Sequence, residues 1–186
     1  MKKYYLTLCT LILSGLLFCH VFAQGKSPEK KVTVSYTWSK ISTHGSNQLA
    51  VWVEDQKGKY ICTLFATRYT AKGGYIKRPL SLSEWTSKVN LKNATKEEVD
   101  AITGATPASG KQLLHWNCKD KAGIQVPKGI YIIRMEANIR DADKMFYTGE
   151  IKIGGKASNA TGEITYSKPS LAKGNVLFRD VMVEYK

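Results

Sequence analysis

A carboxylate and two hydroxyl groups lie close together in the segment 100–106, whose sequence is DAITGAT. Gly104 and Ala105 keep the chain narrow ahead of the second hydroxyl, on Thr106, and Pro107 prevents the segment from continuing as a helix. These residues predict a thin, exposed loop whose threonine hydroxyl a second protein could surround. The same letters are also typical of a turn that performs no chemistry, so both interpretations stay open.

The order of these residues resembles a known attachment signature. Aspartate, two other residues, serine or threonine, and then Gly-Ala-Thr is the pattern of covalent FMN-binding domains in sodium-pumping quinone reductases and related electron-transfer complexes. In those families an extracytoplasmic flavin transferase joins the FMN phosphate to the last threonine as a phosphoester. The resemblance implies FMN attached to Thr106, with a flavin transferase and a membrane reductase as partners. The recognition elements that it implies are Asp100, Thr103, Gly104 and Ala105.

FMN held in this way would perform the redox chemistry, while the protein would supply orientation and local electrostatics. Lys111 could balance the charge of the phosphate, and Trp85 or Trp116 could stack on the isoalloxazine ring. Outside the segment 100–106 the chain does not resemble the known FMN-binding fold.

The other residues with reactive side chains predict neither a metal site nor a catalytic site. His115 and Cys118, together with His44 and Cys62, are residue types that bind metals, but two residues three apart on a strand point to opposite faces. The sequence contains no Gly-x-Ser-x-Gly nucleophile motif, phosphate loop or dinucleotide-binding glycine pattern. We therefore expect no independent catalytic activity, flavin redox chemistry being the exception.

The first 23 residues have the composition of a secretory signal peptide. Two lysines precede a nearly uninterrupted apolar run over residues 6–22, and the residues before Gln24 predict cleavage after Ala23. A lipoprotein signal that uses Cys19 is disfavoured because the large Phe18 precedes it. We expect a periplasmic or secreted protein, with residues 24–186 forming one domain.

Positive charge is the unusual feature of the composition. Of the 186 residues, 28 are Lys or Arg and 15 are Asp or Glu, which gives a net charge of +13 that falls to +11 when the signal peptide and its two lysines leave. The 43% of hydrophobic residues is typical of a globular chain and excludes a disordered one. Nucleic acid is not the expected partner of an exported protein, so the charge favours an anionic membrane surface, an acidic partner or a phosphate group.

Two cysteines, Cys62 and Cys118, remain after removal of the signal peptide. In an oxidising compartment they could form a disulfide. The sequence alone cannot place their Cα atoms within bonding distance, so the bridge is one of two alternatives.

Alternating and β-branched segments predict an all-β fold. Residues 32–38 alternate between apolar and polar side chains for seven residues, and 129–137 is the most apolar segment, as expected for a central strand. The glycine-containing link 55–59 joins two further β-rich segments as a hairpin. The full set of predicted strands is 32–38, 49–54, 60–69, 129–137, 146–153, 162–167 and 176–185. This pattern is typical of an immunoglobulin-like β-sandwich.

The segment of about residues 72–110 interrupts the strands and predicts a partly helical insertion. Ser81 and Glu84, and likewise Thr95 and Glu98, have the spacing of a capping box. The apolar content of the segment predicts that it packs over the sandwich and is not disordered.

The segment 115–131 is interpreted as a hairpin whose turn is formed by Asp120 and Gly123. Its pattern Trp-x-x-x-Asp-x-x-Gly-x-x-Val-Pro-x-Gly-x-Tyr, which begins at Trp116, resembles the Ig-like domain of the flagellar hook-capping protein. It also resembles a family of predicted periplasmic proteins of unknown function, over about residues 46–155. Both resemblances imply an immunoglobulin-like sandwich, and neither implies a particular activity.

Two functions from different classes are therefore expected. The first is a non-catalytic binding or assembly module with a protein partner in the cell envelope. The alternative is a periplasmic electron-transfer protein that carries FMN covalently on Thr106.

Overall fold

A computed structural model describes residues 30–41, 46–140, 142–174 and 176–186. The predicted signal peptide and His44 lie outside the described residues. No helix within these ranges is both long enough and apolar enough to cross a membrane.

About half of the described chain forms β-strands, which are arranged in two sheets and confirm the predicted sandwich. One sheet has the strand order β5-β1-β10-β8, and the other has the order β4-β3-β2-β6-β7-β9. Adjacent strands are antiparallel except β4, which runs parallel to β3. The strands are β1 Val32–Trp38, β2 Gln48–Asp55, β3 Tyr60–Thr67, β4 Thr103–Gly104, β5 Gly110–Trp116, β6 Gly129–Arg140, β7 Asp143–Ile153, β8 Ser158–Asn159, β9 Thr161–Tyr166 and β10 Phe178–Tyr185.

The main core lies between the two sheets. In β1 the buried residues alternate with partly exposed ones, as the sequence predicted. Strand β6, the most apolar segment, lies in the interior of the six-stranded sheet between β2 and β7, which confirms its predicted central position. The largest fully buried members of this core include Trp38, Phe178, Ile133 and Met135.

The link 55–59 forms the predicted hairpin between β2 and β3. The Asp55 carboxylate accepts hydrogen bonds from the backbone N–H groups of Lys57 at 2.8 Å and Lys59 at 2.9 Å. Gly58 has φ +75°, a conformation that glycine adopts without steric cost.

The turn of the hairpin predicted for residues 115–131 is present and is closed by an antiparallel bridge between Lys119 and Gln125, but the strands that flank it do not pair with each other. Strand β5 pairs with β1, whereas β6 pairs with β2 and β7, so the segment crosses from one sheet to the other. The Asp120 carboxylate accepts from the N–H groups of Ala122 and Ile124, both at 2.9 Å, and Gly123 has φ +78°. Local turn chemistry therefore determines the turn but not the strands that flank it.

Strand β2 is buried on both faces, which explains its continuous apolar sequence. Leu49, Val51 and Val53 belong to the core between the sheets. Ala50 and Trp52 belong to a second cluster on the outer face of the six-stranded sheet. A strand with one solvated face would alternate, so the sequence of β2 requires a cover on its outer side.

The partly helical insertion provides that cover. It contains a π-type turn at Thr70–Gly74 and the helices α1 Tyr75–Lys77, α2 Ser83–Lys88 and α3 Lys96–Ile102. Its residues Ala71, Leu82, Trp85 and Val99 complete the second cluster. A short 3-10 turn, Pro169–Ala172, precedes β10.

One of the two predicted capping boxes is present. At α3, the Thr95 hydroxyl accepts from the N–H of Glu98 and the Glu98 carboxylate accepts from the N–H of Thr95. The box predicted from Ser81 and Glu84 is wrong, because α2 begins after Leu82 without a side-chain cap. The Ser81 hydroxyl instead donates to the Asn138 side chain at 3.2 Å.

A polar network anchors α2 on the outer face of the sheet. The Glu136 carboxylate, fully buried, accepts from the backbone N–H of Trp85 at 3.0 Å and pairs with the Lys144 ammonium at 2.8 Å. The Trp85 indole N–H donates to the Thr63 hydroxyl at 2.9 Å. Burial raises the pKa of Glu136, and the hydrogen bonds from Lys144 and Trp85 oppose that rise.

We predict that each member of the Glu136–Lys144 pair stabilises the fold mainly by compensating the buried charge of the other. Glu136→Gln or Lys144→Met should each lower the free energy of unfolding by about 3–5 kcal/mol, since each leaves the other group unpaired in the interior. The double variant should lose less than the sum of the two single losses. Urea denaturation of the three variants measures this coupling.

Glu184→Gln is the matched control, because it breaks the exposed ion pair with Lys186. It should cost less than about 1 kcal/mol. Strictly additive losses at Glu136 and Lys144 would contradict the coupling.

Candidate functional site

An open groove of about 1150 Å³ lies where the edges of the two sheets face each other. One wall is β3, whose outer edge is covered by β4 only at Ala66 and Thr67. The other wall is the end of β5 at His115 and Trp116; β5 is the terminal strand of its sheet and, among the described residues, pairs with β1 alone. The connection between α2 and α3 closes one side of the groove through Val89, Leu91 and Ala94.

The base of the groove is formed by the turn that crosses between the sheets. The backbone N–H of Lys121 donates to the Ile61 carbonyl of β3 at 3.0 Å. The Trp116 indole donates to the Lys119 carbonyl at 2.7 Å. The Trp-x-x-x-Asp-x-x-Gly pattern therefore has a structural role, since it holds this turn and its lysines beside β3.

Positive side chains outnumber negative ones around the groove. Its charged residues are Lys31, Lys88, Lys119, Lys121, Glu98 and Asp120. Both acids are engaged locally, Glu98 in its capping box and Asp120 in the turn. The Lys88 ammonium pairs with the Glu54 carboxylate at 3.3 Å, so three lysines remain against two carboxylates, an excess of one positive charge. The electrostatics of the groove therefore favour an anionic occupant.

Neutral polar and apolar side chains complete the lining. The Tyr60 hydroxyl is 2.8 Å from the Thr63 hydroxyl, and burial raises the pKa of Tyr60. His115 is exposed, and its Nδ1 lies 3.2 Å from the Thr33 hydroxyl. The described lining supplies donors, acceptors and apolar contacts, and the Thr33 hydroxyl beside His115 is not among its residues.

The two cysteines are buried free thiols in the structure. Cys62 lies in the groove wall, and burial raises the pKa of its thiol to about 12, with smaller contributions from Asp120 and Cys118. Burial also raises the pKa of Cys118, against the effect of the Val32 N–H. The Cys62–Cys118 disulfide stays a prediction.

The segment 100–106 passes from α3 through β4 to the surface. Asp100 is exposed near the end of α3, and its ion pair with Lys72 lowers the pKa of the carboxylate. Thr103 pairs with Ala66 of β3, and its side-chain hydroxyl is buried without a hydrogen-bond partner among the described residues. The segment is thus anchored at its middle by a strand of the sandwich.

Gly104 keeps the loop narrow, and packing against β3 also requires a glycine at this position. A Cβ at this position would lie 2.7 Å from the Phe65 ring, closer than side-chain contacts allow. Beyond it, Ala105 is exposed, and Thr106 is partly exposed. The Thr106 hydroxyl donates to the Asn47 carbonyl at 3.3 Å, a long hydrogen bond.

The aromatic partners expected for an FMN ring are not accessible. The side chain of Trp85, a residue of α2, is fully buried, and the side chain of Trp116 is 2% exposed. Neither indole can stack on a ligand, so this part of the prediction is wrong. Lys111 is exposed on β5. Ala101 and Ile102 of the motif line the groove, whereas Thr106 does not.

The described residues contain no cluster of three or more His, Cys, Asp or Glu side chains that could hold a metal ion. His115 is exposed on β5, while Cys118 is 3% exposed. His44, the other histidine considered from the sequence, lies outside the described residues.

We predict that both thiols react slowly while the protein is folded. A thiol with a pKa of about 12 is nearly all protonated at pH 8, so alkylation of Cys62 by iodoacetamide should be slower by about a thousand-fold than that of an ordinary cysteine. Time-resolved intact mass measures the rate, and the protein in denaturant with reductant is the control. Fast labelling of the folded protein would contradict the burial of Cys62.

The same measurement decides the predicted disulfide. If the disulfide forms, protein exported to the periplasm and denatured without reductant should take up no iodoacetamide label. After reduction the same protein should take up label on both cysteines. Immediate labelling of both without reductant would exclude the bridge.

Comparison with known proteins gives one match. Residues 29–168 match the model of a family described as "Predicted periplasmic protein (DUF2271)". No curated protein and no solved structure matches the chain.

Proposed function

The chain belongs to this family of predicted periplasmic proteins, and on that premise we propose that it is a non-catalytic binding module of the cell envelope. The observation that supports the proposal is the groove between β3 and β5, whose volume of about 1150 Å³ slightly exceeds the roughly 300–1,000 Å³ of typical ligand sites. The absence of a nucleophile–base pair from its described lining favours binding over catalysis.

The chemistry of the groove favours an extended acidic segment of a partner protein. An unpaired strand edge offers N–H and C=O groups that an extended peptide can pair with, and β5 offers such an edge along its length. Lys119 and Lys121 at one end would attract carboxylates of the peptide. Leu91 and Ala94 on the opposite side would contact apolar side chains of the same segment.

Site-specific photo-crosslinking in the periplasm tests this proposal. A photoreactive amino acid at Asn90 or at Asn117, both exposed residues of the groove lining, should give a discrete adduct with a partner protein. The same amino acid at Asn159, exposed on β8 and outside the groove, is the matched control. The proposal would be contradicted if neither groove position gave an adduct, or if the control position gave the same adduct in equal yield.

Charge reversal then tests the acidic character of the partner. Lys121→Glu should reduce the crosslink at Asn117 about tenfold, because an attraction becomes a repulsion at the base of the groove. Lys152→Glu, an exposed reversal on β7, should leave it unchanged. A crosslink that is indifferent to Lys121→Glu would exclude charge recognition by this turn.

A second candidate function, covalent FMN binding, is supported by a different observation. The DAITGAT motif lies at the surface where the chain leaves β4, with Asp100 and Ala105 exposed and Thr106 partly exposed. Among the described residues the Thr106 hydroxyl makes one long hydrogen bond, so a modifying enzyme would break little structure to reach it. When bound, FMN would supply one- and two-electron redox chemistry.

The residues around the motif are compatible with this role in part. Pairing of Thr103 and Gly104 with β3 fixes the direction in which the following loop leaves the sandwich. Exposed Lys111 and the charge of the chain would favour the phosphate. The buried indoles would not hold the ring, so the flavin would stay accessible to a redox partner such as a membrane reductase.

Co-expression with an extracytoplasmic flavin transferase separates the two functions. Covalent FMN on Thr106 predicts in-gel flavin fluorescence under denaturing conditions and an intact mass raised by one FMN phosphoester. Thr106→Ala should abolish both, and Thr165→Ala, an exposed threonine on β9, should leave both unchanged. Wild-type protein without an adduct, or an adduct that survives Thr106→Ala, would exclude the site.

A further inference from the structure

Large apolar side chains are exposed together on one segment of the insertion. Within residues 69–80, Tyr69 is 44% exposed, Ile76 is 71% exposed and Leu80 is 53% exposed. The other large exposed apolar side chains in the described part of the chain are Leu113 and Met182, which lie opposite Ser35 on β5 and β10, and Ile124 in a turn. Single exposed apolar residues are common on protein surfaces, but three within twelve residues indicate an interaction site.

The same segment carries only positive charge. Residues 60–83 contain four basic residues and no acidic residue. The basic residues are Arg68, Lys72, Lys77 and Arg78. Lys72 is ion-paired with Asp100, while Arg68 and Lys77 extend from the exposed surface. We call residues 68–80 the basic loop.

The base of the basic loop is anchored firmly in the sandwich. Thr70 is fully buried, and its hydroxyl donates to the Gln48 side-chain carbonyl at 2.9 Å. The neighbouring Ala71 is 4% exposed in the second apolar cluster. The exposed residues that follow are therefore held at a defined place on the surface.

Contacts within the basic loop bring its two ends together. The Arg78 guanidinium lies 6.0 Å from the centre of the Tyr69 ring, and the Arg78 N–H donates to the Gly74 carbonyl at 2.8 Å. A Cβ on Gly74 would lie 2.7 Å from the Tyr69 ring, so only glycine allows this packing. Ile76 and Leu80 flank Arg78 in sequence, so apolar and basic side chains alternate over a short, compact surface.

From this combination we propose that the basic loop docks the protein on an anionic phospholipid surface. Tyrosine and aliphatic side chains enter the boundary between headgroups and acyl chains, while lysine and arginine bind the anionic headgroups. A membrane offers both environments over an unlimited area, whereas a protein partner would need a matching acidic and apolar patch. None of residues 68–80 lines the groove, so this surface is separate from the site proposed above.

Vesicle co-sedimentation tests the proposal with the mature chain, residues 24–186. Vesicles that contain phosphatidylglycerol and phosphatidylcholine should bind the protein, and vesicles of phosphatidylcholine alone should bind it at least about tenfold less, since each basic group gains about 1 kcal/mol near an anionic surface. Binding should also weaken as salt is raised. Equal binding to both vesicle types, or no binding to the anionic ones, would overturn the proposal.

Two pairs of substitutions locate the docking surface. Ile76→Ser with Leu80→Ser should reduce binding about tenfold or more, and Arg68→Gln with Lys77→Gln should do so as well. Leu113→Ser with Lys111→Gln is the matched control, because it removes an exposed apolar residue and a cation from β5.

Far-ultraviolet circular dichroism and thermal unfolding verify that each variant is folded before its binding is compared. Wild-type affinity in both basic-loop variants, or an equal loss in the control, would overturn the assignment of the surface. Capture of a protein partner by the basic loop, with no binding to anionic vesicles, would also overturn it.

Discussion

The structure depends on the requirement that both faces of β2 be covered. This strand places Leu49, Val51 and Val53 between the sheets, and it places Ala50 and Trp52 on the opposite side. A sandwich alone covers only the first set. The helical insertion is therefore part of the fold and not an appendage, and the buried contact of Trp85 with Glu136 and Thr63 fixes where it lies. The insertion also supplies the basic loop and, through Val89, Leu91 and Ala94, one side of the groove.

The sequence predicts the elements whose signals are local. The alternation in 32–38 matches β1 at both ends, the turn at Asp55 and Gly58 is correct, and the capping box at Thr95 has both of its hydrogen bonds. The box at Ser81 fails because the Asn138 side chain, distant in sequence, binds the Ser81 hydroxyl and the Leu82 N–H. Long-range partners of this kind leave no periodic signal.

The candidate site is less predictable than the fold for the same reason. The sequence indicates the turn at Asp120, and it indicates the segment 100–106 as the place where chemistry could be performed. It does not indicate that β5 and β3 belong to different sheets with their open edges side by side. It also cannot show that Trp116 is buried, because an aromatic residue at a strand end suits either a core or a binding site.

The open edge of β5 has a further consequence for how the protein behaves before it meets a partner. An unpaired strand can join the same strand of another copy, which leads to aggregation. Lys111 is exposed on this strand, and Lys119 and Lys121 follow it in the adjoining turn, so two copies brought edge to edge would place like charges together. Like charges on two copies would disfavour such pairing, while an acidic segment would meet no such barrier. Positive charge at this edge would therefore disfavour pairing between copies of the chain and favour pairing with an acidic partner.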